Sequence, residues 1–90
     1  MVQLVEVVKN TKNYELRDVF VNPRHVVVLN EDYASRTAIN EGKVIEGMDP
    51  RQKYTRITVD NGTTGSQFIV VGAPGMVEAK LKSGRQLLNG

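Results

Sequence analysis

Few side chains in this sequence could do covalent chemistry. His25 is the only histidine, and there is no cysteine. A His/Cys metal site, an iron–sulfur site and a thiol nucleophile are therefore excluded within one chain. His25 follows Pro23-Arg24 and reads as a strand or surface residue rather than a base. Glu41, Glu46 and Asp49 are close in sequence, but a calcium loop needs denser, ordered carboxylates. Ser35 and Ser66 have no base beside them in the sequence. Gly72-Ala73-Pro74-Gly75 lacks the Lys-Ser/Thr ending of a P-loop and the GxGxxG spacing of a dinucleotide site, so it reads as a tight turn. The expectation is a protein that is not an enzyme and needs no cofactor or metal.

The remaining chemistry is cationic. Arg51, Lys53 and Arg56 fall close together, with Tyr54 among them. On an extended backbone Tyr54 and Arg56 share one face, and Arg51 and Lys53 have the other parity. Phosphate binding needs several Lys or Arg side chains on one surface, with a flat ring to stack a base. The candidate nucleic-acid set is Arg24, His25, Arg51, Lys53 and Arg56 for phosphate and Tyr54 for stacking. The competing reading is a solvated face. What separates them is where the cations point: if Lys53 and Arg56 pair with carboxylates such as Asp32 and Glu41, the nucleic-acid case collapses. Global charge does not decide, because 12 basic residues stand against 10 acidic ones for a net charge of +2.

The elements that must carry these residues are strands. Val26-Val27-Val28-Leu29 and Phe68-Ile69-Val70-Val71 are apolar at every position. A strand without a polar face must be covered on both sides. Either the strands close into a small barrel, or another chain supplies the cover. Fourteen Val and four Ile among 90 residues favour a pleated surface. The length suits one domain, residues 1–90, with a thin core that no disulfide staples. Cores of that kind are often completed by oligomerisation. No apolar run is long enough to span a membrane, and the N-terminus lacks the pattern of a secretory signal, so a cytoplasmic setting is expected.

Along the chain, Val2 to Lys9 and Tyr14 to Val21 read as strands joined by a polar turn at Asn10–Asn13. Asn22-Pro23 marks a bend, after which Arg24 to Asn30 re-enters the sheet. Residues 31–52 read as an insertion or long loop, holding a helical turn around Tyr33–Ile39 or a short hairpin. Tyr54 to Asp60 alternates strictly, with Thr55, Ile57 and Val59 dry and Tyr54, Arg56 and Thr58 wet. Asn61-Gly62 signals a hairpin into Gln67–Val71. Residues 76–82 fit a strand or a helix equally, and residues 84–90 read as a flexible tail. The fold expected is mainly β: a small, strongly bent five-stranded antiparallel barrel, with room for one short helix. Exposed apolar edges then predict a homo-oligomer, a closed ring made by edge-strand pairing.

Phe68-Ile69-Val70-Val71-Gly72 followed by Met76-Val77 resembles the second motif of the Sm-like family, which includes the Sm, LSm and Hfq proteins. The match covers about ten residues, and only Gly72 maps onto a motif position, as a structural turn. This resemblance implies a strongly bent barrel, a homo-oligomeric ring and single-stranded RNA as partner. Phe20-Val21-Asn22-Pro23-Arg24-His25-Val26 is similar to the strand, Asn-Pro, strand opening of small flagellar regulatory proteins of the FlbD type. In those, a later strand, Asn-Gly, strand unit precedes a short helix, and Asp60-Asn61-Gly62, Phe68–Val71 and Met76–Leu81 fit that layout. The second resemblance implies a regulatory, protein-binding module without nucleic-acid binding.

Overall fold

The computed structural model describes residues 1–10, 14–40, 49, 51–60 and 65–89. Among these described residues, five strands and two α-helices follow in the order β1 (Val2–Lys9), β2 (Tyr14–Val21), a 3-10 turn (Pro23–His25), β3 (Val26–Glu31), α1 (Tyr33–Asn40), β4 (Tyr54–Asp60), β5 (Gly65–Val71) and α2 (Pro74–Asn89). All pairings are antiparallel. They give one sheet in the order β2-β1-β5-β4-β3. The mainly β, five-stranded expectation holds, but the sheet is open: β2 and β3 are its two edges.

Those edges are adjacent in sequence, and this bends the sheet. Only residues 22–25 separate Val21 at one edge from Val26 at the other. In a flat sheet four strand spacings would put the edges roughly 19 Å apart. An extended chain from residue 21 to 26 reaches at most about 18 Å, and a 3-10 turn rises only about 2 Å per residue. A flat sheet therefore cannot be joined this way. The natural twist of about −20 to −25° per strand brings β3 roughly perpendicular to β2, so the chain can turn a corner between them. The sequence builds that corner locally. Asn22 is extended (φ −81°, ψ 114°), and its Oδ1 accepts a hydrogen bond from the Arg24 N–H at 3.1 Å. Pro23 opens the 3-10 turn and is buried. The His25 N–H donates to the Asn22 carbonyl at 3.0 Å, and the Val26 N–H donates to the Pro23 carbonyl.

Both faces of the sheet carry apolar side chains. Register puts Thr55 opposite Val70 and Ile57 opposite Phe68 on one face, and Tyr54 opposite Val71 on the other. On the first face Val2, Leu4, Val21, Ile57 and Val70 form the main core with Val77 and Leu81 of α2. On the second, Val7 and Tyr54 pack with Tyr14, Ile69 and Val71. This explains why Phe68–Val71 has no polar position: its alternate residues enter two different clusters. Val26–Leu29 behaves differently. Val26 and Leu29 pack on the main core, whereas Val27 and Val28 are 62% and 40% exposed. A register shift between Val26 and Val28 marks a bulge there.

Residues 76–82 are helical, and α2 continues through Gly84 to Asn89, where the sequence suggested a tail. Packing decides for helix: Val77 and Leu81, one turn apart, both lie on the sheet. Gly72 ends β5 with φ +122°, a conformation that favours glycine. Within 31–52, Glu31 belongs to β3 and α1 occupies 33–40. Residues 41–48 and 50 lie outside the described residues, as do residues 11–13 of the turn expected at Asn10–Asn13 and the expected hairpin residues Asn61-Gly62, although β4 and β5 pair up to Asp60 and Gly65. No helix among the described residues is long and apolar enough to cross a membrane.

Ile57, fully buried at the centre of this core, carries the first prediction. Ile57→Ala is expected to lower the unfolding free energy by about 2–5 kcal/mol in chemical denaturation. A loss below about 1 kcal/mol would mean that the side chain is not packed as described.

Candidate functional site

The predicted cation set divides into two groups along β4. Arg24 and His25 lie in the corner before Val26, which is opposite Val59. Arg51, Lys53, Tyr54 and Arg56 lie at the other end, near Glu31, which is opposite Thr55. Four positions of extended chain separate the ends, roughly 13 Å. The fold does not merge the two groups into one patch.

Within the larger group each cation stands against an acid. Arg51 donates Nε and Nη2 to Asp49 at 3.3 and 3.2 Å, and its backbone N–H donates to Asp49 Oδ1 at 2.8 Å. These bonds hold the Asp49 carboxyl below the usual carboxylate range. Lys53 Nζ lies 3.8 Å from Glu31. Arg56 Nη2 donates to Asp32 Oδ1 at 3.3 Å. The first pair is solvent-exposed and contributes little to stability, and in the second Glu31 is half-buried against a partly exposed lysine. The third differs, because Asp32 is only 5% exposed.

Asp32 is placed from several directions. It stands immediately before α1, and its backbone N–H donates to the Tyr54 carbonyl at 2.8 Å. Its Oδ2 accepts from Ser35 Oγ at 2.5 Å, three residues into the helix. The residue type and spacing match a helix start, where a short acceptor satisfies the first turn. Asp32 thus ties α1, β3 and β4 together, and Arg56 serves as its counter-ion. A carboxylate this buried needs such donors. The Asp32-x-x-Ser35 spacing was visible in the sequence, but only the β3–β4 register brings Arg56 to it.

Tyr54 is 1% exposed and packs with Val7. It is not available to stack on a base, which corrects the role expected from its alternation with Arg56. Strand parity put it on a wet face, but that face carries an apolar cluster at this end. Among the described residues its hydroxyl has no hydrogen-bond partner, and burial pushes the phenol above its ordinary pKa. Beside it, the Gly72 N–H donates to the Lys53 carbonyl at 2.9 Å, and Thr55 Oγ1 donates to the Gly72 carbonyl at 2.7 Å. Gly72 therefore anchors the β5–α2 turn to the start of β4, a geometric role.

Two concavities accompany these residues. A cleft of about 400 Å³ is lined by Asp49, Arg51, Gln52, Lys53, Ala73 and Met76, so it mixes both signs of charge. A groove of about 260 Å³ at the corner is mainly apolar, with Val19, Phe20, Val59 and Phe68 around His25. Among the described residues no cluster of three His, Asp or Glu could hold a metal. Comparison with family models, curated proteins and solved structures finds no match for this chain.

Two outcomes follow from these contacts. Tyr54→Phe removes a buried, unpartnered hydroxyl and is expected to raise stability, on the order of 1 kcal/mol. The folded phenol also keeps its proton at a pH where the unfolded one loses it. Native protein then binds more protons than unfolded protein, so stability falls as pH rises past about 10. Denaturation at pH 8 and pH 10.5 should show a drop in the parent that Tyr54→Phe reduces; an equal drop in both would disprove the assignment. Separately, Arg56→Gln strips Asp32 of its counter-ion and is expected to cost about 1–2 kcal/mol, discounted for the partly exposed guanidinium. Arg51→Gln, whose pair is exposed, should change stability by less than about 0.5 kcal/mol.

Proposed function

We propose that this chain is a non-enzymatic protein-interaction module of regulatory type, which engages its partner through exposed sheet edges rather than through a nucleic acid. One observation carries this reading: Arg51, Lys53 and Arg56 each stand against a carboxylate, while the ring meant to stack a base is buried. A phosphate ligand would have to displace Asp49, Glu31 or the buried Asp32, and the local field is close to neutral. The order of elements supports the same reading. A strand, the Asn-Pro corner, a strand, and later two paired strands followed by a helix is the layout of the FlbD-type resemblance. The Sm-like pattern instead requires a strand after Gly72, where this chain has α2.

The surface offers suitable contact groups. Phe20 on β2 is 63% exposed, and Val27 and Val28 lie on β3. Unpaired edge strands present free N–H and C=O groups to another chain, and exposed apolar side chains add affinity.

Fluorescence anisotropy with a labelled, unstructured RNA at low ionic strength tests the reading. The expected result is no salt-dependent binding. Binding whose salt slope flattens in a variant combining Arg51→Gln, Lys53→Gln and Arg56→Gln would reverse it and restore the RNA-binding ring.

A further inference from the structure

We infer that β2 is the docking edge of this fold, and that it takes an extended segment of another protein. That segment sets a lysine or arginine against Asp18, and apolar side chains against Leu16 and Phe20. This rests on the interaction-module reading and gives its partner a chemistry.

β2 is the more regular of the two edges. It pairs with β1 from Tyr14 to Val21 without a register shift, so its two-residue alternation is unbroken. Leu16, Asp18 and Phe20 therefore share one face, while Val19 and Val21 reach the main core on the other. All three are exposed, Leu16 by 40% and Phe20 by 63%. β3 is shorter, and its alternation is interrupted by the bulge between Val26 and Val28.

Asp18 gives this edge its preference. Among the described residues its carboxylate has no hydrogen bond and no ion pair, in contrast to Arg17, whose Nε donates to Glu6 at 3.1 Å on the other face. Its neighbour across the ladder is the apolar Val5. Directly opposite residues of paired strands share a face; opposite charges there stabilise and like charges destabilise. An added strand with a cation opposite Asp18 completes a pair that this chain leaves open. Apolar residues two positions to either side then cover Leu16 and Phe20. Main-chain hydrogen bonds to the free edge supply the rest of the affinity.

The corner groove adjoins the same edge. Val19, Phe20 and Val21 of β2 line it together with Val59 and Phe68. The added strand's residue opposite Val19 lies on that side of the sheet, and an apolar side chain suits it. A second copy of this chain does not supply the matching segment. Nowhere in its sequence do large apolar residues stand two positions before and two positions after a lysine or arginine.

Fluorescence anisotropy at low ionic strength tests this with a labelled synthetic peptide, Ser-Val-Leu-Lys-Thr-Val-Ser. Antiparallel pairing lays its Val, Lys and Val against Phe20, Asp18 and Leu16, and its Leu against Val19. A comparison peptide carries Glu in place of Lys. The parent is expected to bind the Lys peptide about threefold or more tighter than the Glu peptide. Asp18→Lys should reverse that preference. Phe20→Ser should weaken both peptides and keep the preference, and Val28→Lys on β3 should leave binding unchanged. Circular dichroism checks that each variant is folded, which the exposure of all three positions favours. No binding of either peptide overturns the inference, as do equal binding of both, a preference that Asp18→Lys does not reverse, and loss of binding in folded Val28→Lys. So does a parent dimer in light scattering that Phe20→Ser dissolves, which would put a second copy on this edge. Each of these failures leaves the interaction-module reading standing; that reading falls to salt-dependent RNA binding, whatever the peptides do.

Discussion

The fold depends on a corner of four residues. Asn22 to His25 must carry the chain from one edge of a five-stranded sheet to the other, which is possible only if the sheet coils until its edge strands run across one another. Asn22 and Pro23 make that corner from their own chemistry, one by capping the turn and the other by fixing φ. Once the sheet is coiled, its inner face is a trough. Val77 and Leu81 of α2 complete the core there. The sheet stops short of closure, and that leaves two free edges of different character.

The electrostatics follow from the same frame. β3 and β4 pair so that Asn30 is opposite Arg56 and Glu31 opposite Thr55. Asp32, one residue on, meets the Arg56 guanidinium as the chain turns into α1. Its burial gives that pair a structural meaning that the exposed pair of Arg51 lacks. The basic cluster is thus largely the complement of the acids around it. On the proposed reading, recognition falls to backbone and apolar surface at the sheet edges.

Much of the fold was legible in the sequence. Strict alternation in Tyr54–Asp60, the Asn-Pro bend and the unbroken apolar run Phe68–Val71 each point to their observed elements. The apolar run is explained by two clusters within one chain, not by a closed barrel. The candidate site was less legible, because strand parity assigns a face but not what covers it. Tyr54 and Arg56 share a face, yet one is buried with Val7 and the other reaches Asp32. The helical fate of residues 76–89 turned on tertiary cover: Val77 and Leu81 suit a strand as well as a helix until the trough of the sheet is present.

Amide hydrogen exchange, followed residue by residue at a concentration where the chain is a monomer, tests the central claim of an open, coiled sheet most directly. The account predicts the slowest exchange in β4 and where β1 and β5 pair, at Glu6–Val7 and Ile69–Val70, since there the strands have a paired neighbour on each side. It predicts that alternate amides of β2 and β3, those pointing away from the sheet, exchange near unprotected rates. Uniform protection along both edge strands in the monomer would mean that β2 and β3 pair with each other. The sheet would then be a closed barrel, and the free edges on which this account of recognition rests would not exist.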